Sequence, residues 1–225
     1  MSFSIAIDGP SASGKSVLAL RIAKHLNMTH INTGSMYRAV AYLSIQENIK
    51  LPEELDTLLN LIDTMDLVLG KNQEVYLDKK DITLLLRDEA ISLLASDISK
   101  IKEVREKLVA KQQAMAEVMD CVMDGRDIGT VVLPKAQVKI FLTASSQVRA
   151  MRRYLELKAR GVESDYEEIL ADLILRDYQD SHRKESPLVQ AEDAIRIDTS
   201  SLSIDQVFEE ILDIVIKKKE AMSHD

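Results

Sequence analysis

The chain has 225 residues, of which 46% are hydrophobic and 29% charged, and its formal net charge at pH 7 is −8. These values are ordinary for a globular protein, and the length suits a single domain with insertions. The negative charge disfavours a broad nucleic-acid or membrane surface, so an anionic ligand needs local basic residues. Because the sequence has no secretory signal pattern and no apolar run of membrane-spanning length, we expect a cytoplasmic protein. With no oligomer signal in the sequence, we expect a monomer.

A strand, a glycine-rich loop and a helix are predicted at the start of the chain. Residues 3–8 (FSIAID) indicate a short buried strand, and residues 17–26 carry apolar side chains at helical spacing. Between them, residues 9–16 (GPSASGKS) match the phosphate-binding loop pattern G-x-x-x-x-G-K-S/T at every fixed position. In such a loop, backbone N–H groups and the positive end of the next helix cradle nucleotide phosphates.

This loop predicts a nucleotide-phosphate site that uses Mg²⁺. Lys15 can reach the β- and γ-phosphates, and the Ser16 hydroxyl can ligate the metal. The loop alone does not separate a kinase from an ATPase, a GTPase switch or a regulatory binder. The residues expected to contact the nucleotide here are Gly9, Pro10, Ser11, Ala12, Ser13, Gly14, Lys15, Ser16 and Val17.

Four more strand-like runs follow, and helical patterns separate them. The runs are residues 29–32, 121–124, 138–143 and 194–198, and the main helical patterns are residues 36–47, 101–118 and 147–160. A last helix begins with a capping box at Ser203 and is expected to end at the lysines of residues 217–219. The alternation predicts a three-layer α/β/α fold with a parallel five-stranded sheet, in which ligands bind at the carboxyl ends of the strands.

Two regions interrupt this alternation. Residues 57–96 contain a hairpin pattern at residues 67–77 and indicate a small inserted subdomain. Residues 149–183 hold six of the chain's twelve arginines, and Gly161 interrupts their helical pattern. The core of a single domain is then expected at about residues 1–56, 97–148 and 184–225.

Three polar segments stand where anionic ligands would bind. Arg38 falls early in a helix, where positive charge is slightly unfavourable, and the sequence DGRD at residues 124–127 follows the third strand. Residues 176–183 (RDYQDSHR) are dense in arginine, whose planar fork can bind two phosphate oxygens at once. Each segment alone has a purely structural alternative: a surface arginine, an Asp–Arg pair that braces a turn, or a solvated helix face.

Taken together, the segments resemble bacterial cytidylate kinases, a family of nucleoside-monophosphate kinases with a phosphate-binding loop. The similar segments are residues 7–10, the phosphate loop, and residues 33–38, 124–132, 138–142, 176–183 and 187–188, so the resemblance runs from about residue 5 to residue 198. It implies a P-loop kinase core, an insertion that binds CMP, and an arginine-rich helical lid over ATP. The chain departs from the usual pattern at Val17, where a Thr is common, and at Gln179, where an Arg is frequent.

The resemblance also implies roles for individual residues. Lys15, Arg38, Arg126 and Arg176 would be catalytic by neutralising phosphate charge, and Arg152 and Arg153 would lie over ATP. Asp127 would accept from the exocyclic amine of cytosine, while Asp124 would act on the water shell of the metal or brace its loop. The full set of residues expected at the CMP site is Thr33, Tyr37, Arg38, Arg87, Ser96, Arg105, Asp124, Gly125, Arg126, Asp127, Arg176, Asp180 and Arg183.

The implied reaction is the Mg²⁺-dependent transfer of a phosphoryl group from ATP to CMP or dCMP. Three alternatives stay open at this point. The chain could be another P-loop kinase, for UMP/CMP, AMP or a small molecule. It could also be a nucleotide-binding switch without an acceptor, or a noncatalytic scaffold that would not need Lys15 and Ser16.

Overall fold

The central sheet has five parallel strands whose order differs from their order in the chain. The computed structural model describes residues 2–223. The strands of this sheet are β1 (Ser4–Asp8), β2 (Thr29–Asn32), β6 (Cys121–Gly125), β7 (Val138–Thr143) and β8 (Ile195–Asp198), in the spatial order β2-β6-β1-β7-β8. Every neighbouring pair is parallel, and at the end of β1 Asp8 pairs with Gly125 of β6. The predicted five-stranded parallel sheet is confirmed.

Helices cover both faces of this sheet. The helices that share its apolar clusters are α1 (Lys15–His25), α2 (Thr33–Gln46), α5 (Lys102–Val118) and α8 (Ile204–Ser223). Two further helices, α6 (Ser146–Ala159) and α7 (Tyr166–His182), pack against each other. Ile7 of β1 packs in one apolar cluster with Ile22 of α1 and Ile211 of α8. The preceding residue of β1, Ala6, belongs to a second apolar cluster, together with Met36 of α2. Because successive strand residues face opposite sides, these two clusters are the two cores of a three-layer α/β/α fold.

The inserted region forms a small antiparallel sheet with helices around it. Its elements are α3 (Leu55–Thr64), β3 (Leu67–Leu69), β4 (Val75–Leu77), β5 (Lys80–Asp81), a 3₁₀ turn at Leu85–Arg87 and α4 (Glu89–Ile98). The predicted hairpin corresponds to β3 and β4, and β5 adds a third strand that the sequence pattern did not indicate. Ile62, Leu77 and Ile91 of the insertion belong to the same apolar cluster as Met36, so the insertion packs directly on α2.

The last helix begins as expected but ends later. The Ser203 hydroxyl accepts from the N–H of Gln206 at 3.2 Å, and the Gln206 side chain accepts from the N–H of Ser203 at 2.8 Å, which confirms the capping box. The expected end at residues 217–219 is wrong, because α8 continues to Ser223 through residues that favour helix. None of the described helices is long and apolar enough to cross a membrane.

Candidate functional site

The phosphate loop lies between β1 and α1 and takes the backbone shape that its glycines allow. Gly9 has a φ of +146°, and a Cβ there would overlap the carbonyl oxygen of Leu142 on the neighbouring strand. Gly14 has a φ of +93° and directly precedes α1, so the first N–H groups of that helix open into the loop. Without a Cβ at these two positions, the backbone can curve closely around an anion.

Lys15 is folded back over the loop that contains it. Its ammonium donates to the carbonyl of Pro10 at 2.6 Å and to the Ser13 hydroxyl at 3.4 Å. Burial, together with the nearby Arg126, holds the pKa of Lys15 well below its usual value. A bound phosphate would relieve this unfavourable position, because it supplies the negative charge that the buried ammonium lacks.

The predicted metal ligand Ser16 belongs to a buried hydrogen-bond network around Asp124. The Ser16 hydroxyl donates to Oδ2 of Asp124 at 2.6 Å and accepts from the side-chain amide of Asn32 at 3.0 Å. His30 lies on the other side, with its Nε2 at 2.7 Å from Oδ1 of Asp124. Burial by itself raises the pKa of Asp124, but the hydrogen bonds from His30 and Ser16 and the charge of Lys15 outweigh it and leave the pKa below its usual value. The sequence reasoning missed His30 and Asn32.

The oxygen atoms beside the phosphate loop suit a Mg²⁺ ion that binds together with a nucleotide, rather than a metal ion held by protein side chains alone. Within residues 2–223, no group of three or more His, Cys, Asp or Glu side chains could hold a metal ion. Mg²⁺ in nucleotide enzymes is usually held by one or two protein oxygens, water and the substrate phosphates. Ser16 and Asp124 supply such oxygens beside the phosphate loop.

Asp8 joins the phosphate loop to the segment after β6, and the sequence reasoning missed this role. One carboxylate oxygen accepts from the N–H of Ile128 at 2.8 Å, and the other accepts from the N–H of Gly129 at 2.7 Å. Burial raises the pKa of Asp8 to about 6 despite these two hydrogen bonds. The available signal was a charged residue at the end of a strand predicted to be buried, directly before the loop.

Three predicted catalytic arginines converge from three elements. Arg38 lies on α2, Arg126 follows β6 and Arg176 lies on α7. Burial lowers the pKa of Arg38, and the charges of Arg176 and Arg126 lower it further, while Asp124 opposes them. Arg126 is anchored by Asp180, whose carboxylate accepts from its Nε at 2.7 Å.

Arg176 has unused hydrogen-bonding capacity inside this cluster. Burial and the neighbouring Arg126 lower the pKa of its guanidinium. Its Nε is buried, and no hydrogen-bond acceptor lies within reach among the described residues. A buried donor without an acceptor is costly, so an anion bound here would remove a penalty that the free protein bears.

Asp127 belongs to a second polar group, which includes Arg105 and Arg183. A guanidinium nitrogen of Arg105 donates to Oδ2 of Asp127, and Nη2 of Arg183 is 3.8 Å from Oδ1. The guanidinium carbon of Arg105 lies 5.6 Å from the ring centroid of Tyr37, and burial raises the pKa of Tyr37 to about 12. Four of the residues expected at the CMP site are therefore brought together.

The remaining residues expected at the CMP site differ in how closely they join it. The Thr33 hydroxyl donates to the carbonyl of Asp124 at 2.9 Å, and a Cβ on Gly125 would press on that hydroxyl. Ser96 is half-buried on α4, and its carbonyl accepts from Ser99 at 2.7 Å. Arg87 is exposed at the end of the 3₁₀ turn, and the described residues give it no side-chain hydrogen bond or ion pair.

A cleft of about 180 Å³ lies beside the phosphate loop. Arg152 forms one wall and donates to the Thr199 hydroxyl at 3.0 Å and to the Thr199 carbonyl at 2.6 Å. Arg153 instead pairs with Glu156 on its own helix at 3.0 Å. Val17 points outward and is 57% exposed. The residues that line the cleft are Ser13, Gly14, Leu18, Arg152, Thr199, Leu202, Ile204 and Val207.

Comparisons with known proteins identify the family of this chain. A family model described as cytidylate kinase matches residues 5–217. A cytidylate kinase from Caldicellulosiruptor saccharolyticus is 47% identical over 216 residues, which cover 95% of each chain. Another from Streptococcus pneumoniae is 48% identical over 211 residues, which cover 92% of this chain and 94% of the relative.

A solved structure supports the fold independently of sequence. A gluconokinase from Sinorhizobium meliloti 1021 superposes with a TM-score of 0.53 at 14% identity and covers 99% of this chain and 96% of its own. At this identity the likeness concerns the arrangement of helices and strands alone.

Proposed function

The chain belongs to the cytidylate kinase family, and we propose that it transfers the γ-phosphoryl group of ATP to CMP or dCMP, giving ADP and CDP or dCDP. The observation that carries this proposal is the convergence of Arg38, Arg126 and Arg176 beside a phosphate-binding loop. One phosphate site explains the loop, and a second, adjacent anion explains the buried arginines.

The proposed chemistry is charge neutralisation and positioning. The acceptor phosphate has a second pKa of about 6, so it is largely ionised at pH 7 and needs no general base. The obstacle is repulsion between two anions that must meet in line, and buried positive groups lower that barrier. Lys15 would hold the donor phosphates, and the three arginines would hold the acceptor phosphate against them. Mg²⁺, bound through the phosphates and the Ser16 hydroxyl, would neutralise the donor further.

The proposed specificity for cytosine comes from Asp127. Its Oδ2 is engaged by Arg105, while its Oδ1 is 3.8 Å from Arg183 and is less tightly held. An exocyclic amine donates to a carboxylate oxygen, whereas the carbonyl of uracil at the same place would be repelled by it. Asp180 and Arg183 would then lie near the ribose.

The helices α6 and α7 are the proposed lid, and we propose that the enzyme acts as a monomer. Arg152 already borders the cleft beside the loop, which is the proposed place of the ATP nucleoside. A lid that closes over both substrates would keep water from competing as acceptor.

A panel of acceptors tests the proposal. We would measure ADP formation with MgATP and each of CMP, dCMP, UMP, AMP and GMP, and identify the products by chromatography. We expect CMP and dCMP to exceed the other monophosphates in kcat/KM by about tenfold or more. Preference for UMP, AMP or GMP would assign the site to another kinase class. ADP release that no monophosphate stimulates would indicate a switch, and the Lys15→Ala variant gives the background rate.

A further inference from the structure

His30 is a buried residue that the proposed reaction does not yet use. We propose that His30 is a positioning residue, which holds the Asp124 carboxylate so that it orients the Ser16 hydroxyl toward the Mg²⁺–nucleotide complex. This inference rests on the proposed function, because it assumes that the phosphate loop binds a metal nucleotide. His30 would not touch the substrate, since its side chain is 2% exposed and reaches the site only through Asp124.

The sheet fixes the position of His30 relative to Asp124. His30 lies on β2 opposite Val122 of β6, and Asn32 lies opposite Asp124 in the same register. The His30 Nε2 is 2.7 Å from Oδ1 of Asp124, whereas the Asn32 amide is 3.3 Å from each carboxylate oxygen. The imidazole is therefore the short contact that holds Oδ1, and the carboxylate cannot rotate without breaking it.

The direction of these hydrogen bonds follows from the charge of Asp124. An ionised carboxylate can only accept, and the Ser16 hydroxyl is placed to donate to it. The His30 Nε2 must then carry a proton and donate to Oδ1. On the other side, the Ser16 hydroxyl must donate its proton to Oδ2, where the distance is 2.6 Å.

The network leaves one lone pair of the Ser16 oxygen free. A hydroxyl has one donor proton and two acceptor sites. The proton goes to Asp124, and the amide of Asn32 donates to one acceptor site at 3.0 Å. The second acceptor site is available for a cation beside the loop. If His30 no longer held Asp124, the carboxylate could turn and the Ser16 proton could point toward the cation instead.

Two substitutions separate positioning from simple packing. His30→Leu fills most of the same buried volume without a donor, and His30→Gln keeps an N–H donor that can reach Asp124. Calorimetry would give the dissociation constants of ADP with Mg²⁺ and of ADP in excess EDTA, and melting curves would report folding. The matched control is His25→Leu, which removes an exposed imidazole on α1.

We expect His30→Leu to weaken ADP binding about 10-fold in the presence of Mg²⁺, because partners of metal-bound groups typically contribute that much. Binding of metal-free ADP should change by less than about twofold, and His30→Gln should recover Mg²⁺-dependent binding to within about threefold of the wild type. Equal losses with and without Mg²⁺, or equal defects in the Leu and Gln variants, would overturn the proposal.

The test still decides the proposal if one variant does not fold, or if the acceptor of the reaction is not CMP. Should His30→Leu not fold, His30→Met offers a flexible side chain without a donor, and the same ratio of the two dissociation constants applies. These ratios involve no acceptor, so they are independent of the panel of monophosphates. A wrong acceptor assignment would leave the Mg²⁺ ratio altered, and a wrong role for His30 would leave the CMP preference intact.

Discussion

Arg38 and Arg176 lie where their own charges are unfavourable in the free protein. Burial lowers the pKa of both guanidinium groups, and each is also close to Arg126. The Nε of Arg176 has no acceptor among the described residues. Such a cluster is expected where an anion binds, because the ligand removes both the repulsion and the missing hydrogen bond. It also explains how a chain with a net charge of −8 can bind two anionic substrates.

Arg38→Ala tests the role of this cluster. We expect kcat/KM for CMP to fall by about 10² or more, since the change removes the proposed charge-assisted contact to the acceptor phosphate. The free energy of unfolding should change by less than about 1 kcal/mol, because the neighbouring arginines already disfavour this charge. Steady-state kinetics and urea unfolding measure the two effects. Arg196→Ala, at an exposed position of β8, is the control, and near-normal kinetics of Arg38→Ala would remove Arg38 from the mechanism.

The strands and helices of the core were predictable because their apolar patterns are simple. The observed β2 and β7 have the predicted bounds, and β1, β6 and β8 differ by one residue at one end. The strand β5 was missed because Lys80 and Asp81 are exposed and polar and carry no alternation. Pairing with Leu77 and Tyr76 makes these two residues a strand, and a local pattern does not contain that contact.

The sequence predicted the site residues that directly follow strands. It did not predict the hydrogen bonds between polar side chains that are far apart in the chain. The loop pattern and the arginines after β2 and β6 could be read from the sequence, and their detailed roles came from the family resemblance. The pairing of His30 with Asp124, of Asp8 with Gly129 and of Arg149 with the phosphate loop joins residues far apart in the chain. Residue spacing predicts which face is buried but does not identify the partner of a buried polar group.

Arg149 links the arginine-rich helices to the phosphate loop. Its guanidinium donates to the carbonyl of Ser11 at 3.2 Å and to that of Ala144 at 2.9 Å. It also pairs with Asp177 of α7 at 2.5 Å, and its side chain is 5% exposed. One buried side chain therefore connects α6, α7 and the loop.

Arg149→Met should affect the donor side selectively. We expect KM for ATP to rise about tenfold with little change in KM for CMP, because the loop loses its contact with α6. Stability should fall by about 2–3 kcal/mol, since Asp177 loses its partner. Kinetics with each substrate varied and thermal unfolding measure both effects. Arg160→Met, which loses only a surface pair with Glu156, is the control, and equal increases in both KM values would contradict this role.

The order of the strands in the sheet brings the two proposed substrate sites side by side. The strand β1 precedes the phosphate loop, and its neighbour β6 precedes the segment of residues 124–129. Because both strands are parallel, their carboxyl ends meet at one edge. Asp8 closes this edge by accepting from the N–H groups of Ile128 and Gly129. A single buried carboxyl therefore connects the donor loop with the segment that carries Asp127.

This carboxyl should make folding stability depend on pH in an unusual direction. Burial favours the neutral form of Asp8 and raises its pKa in the folded protein from the ordinary value of 3.8 to about 6. Between these two values the folded state binds the proton more tightly than the unfolded state, so this contribution to stability falls as pH rises. The pKa difference corresponds to about 3 kcal/mol, lost between about pH 4 and pH 6.

Comparison with Asp8→Asn isolates this effect from the other carboxyl groups. Asparagine cannot titrate and accepts through one oxygen only, so it adds a loss of stability that does not depend on pH. We therefore expect the unfolding free energy of the wild type minus that of the variant to fall by about 2–2.5 kcal/mol from pH 4 to pH 7. Urea unfolding at intervals of half a pH unit measures this difference, and Asp56→Asn, at an exposed position of α3, provides a flat control. A difference that stays constant or rises with pH would show that Asp8 is already ionised in the folded protein below pH 4.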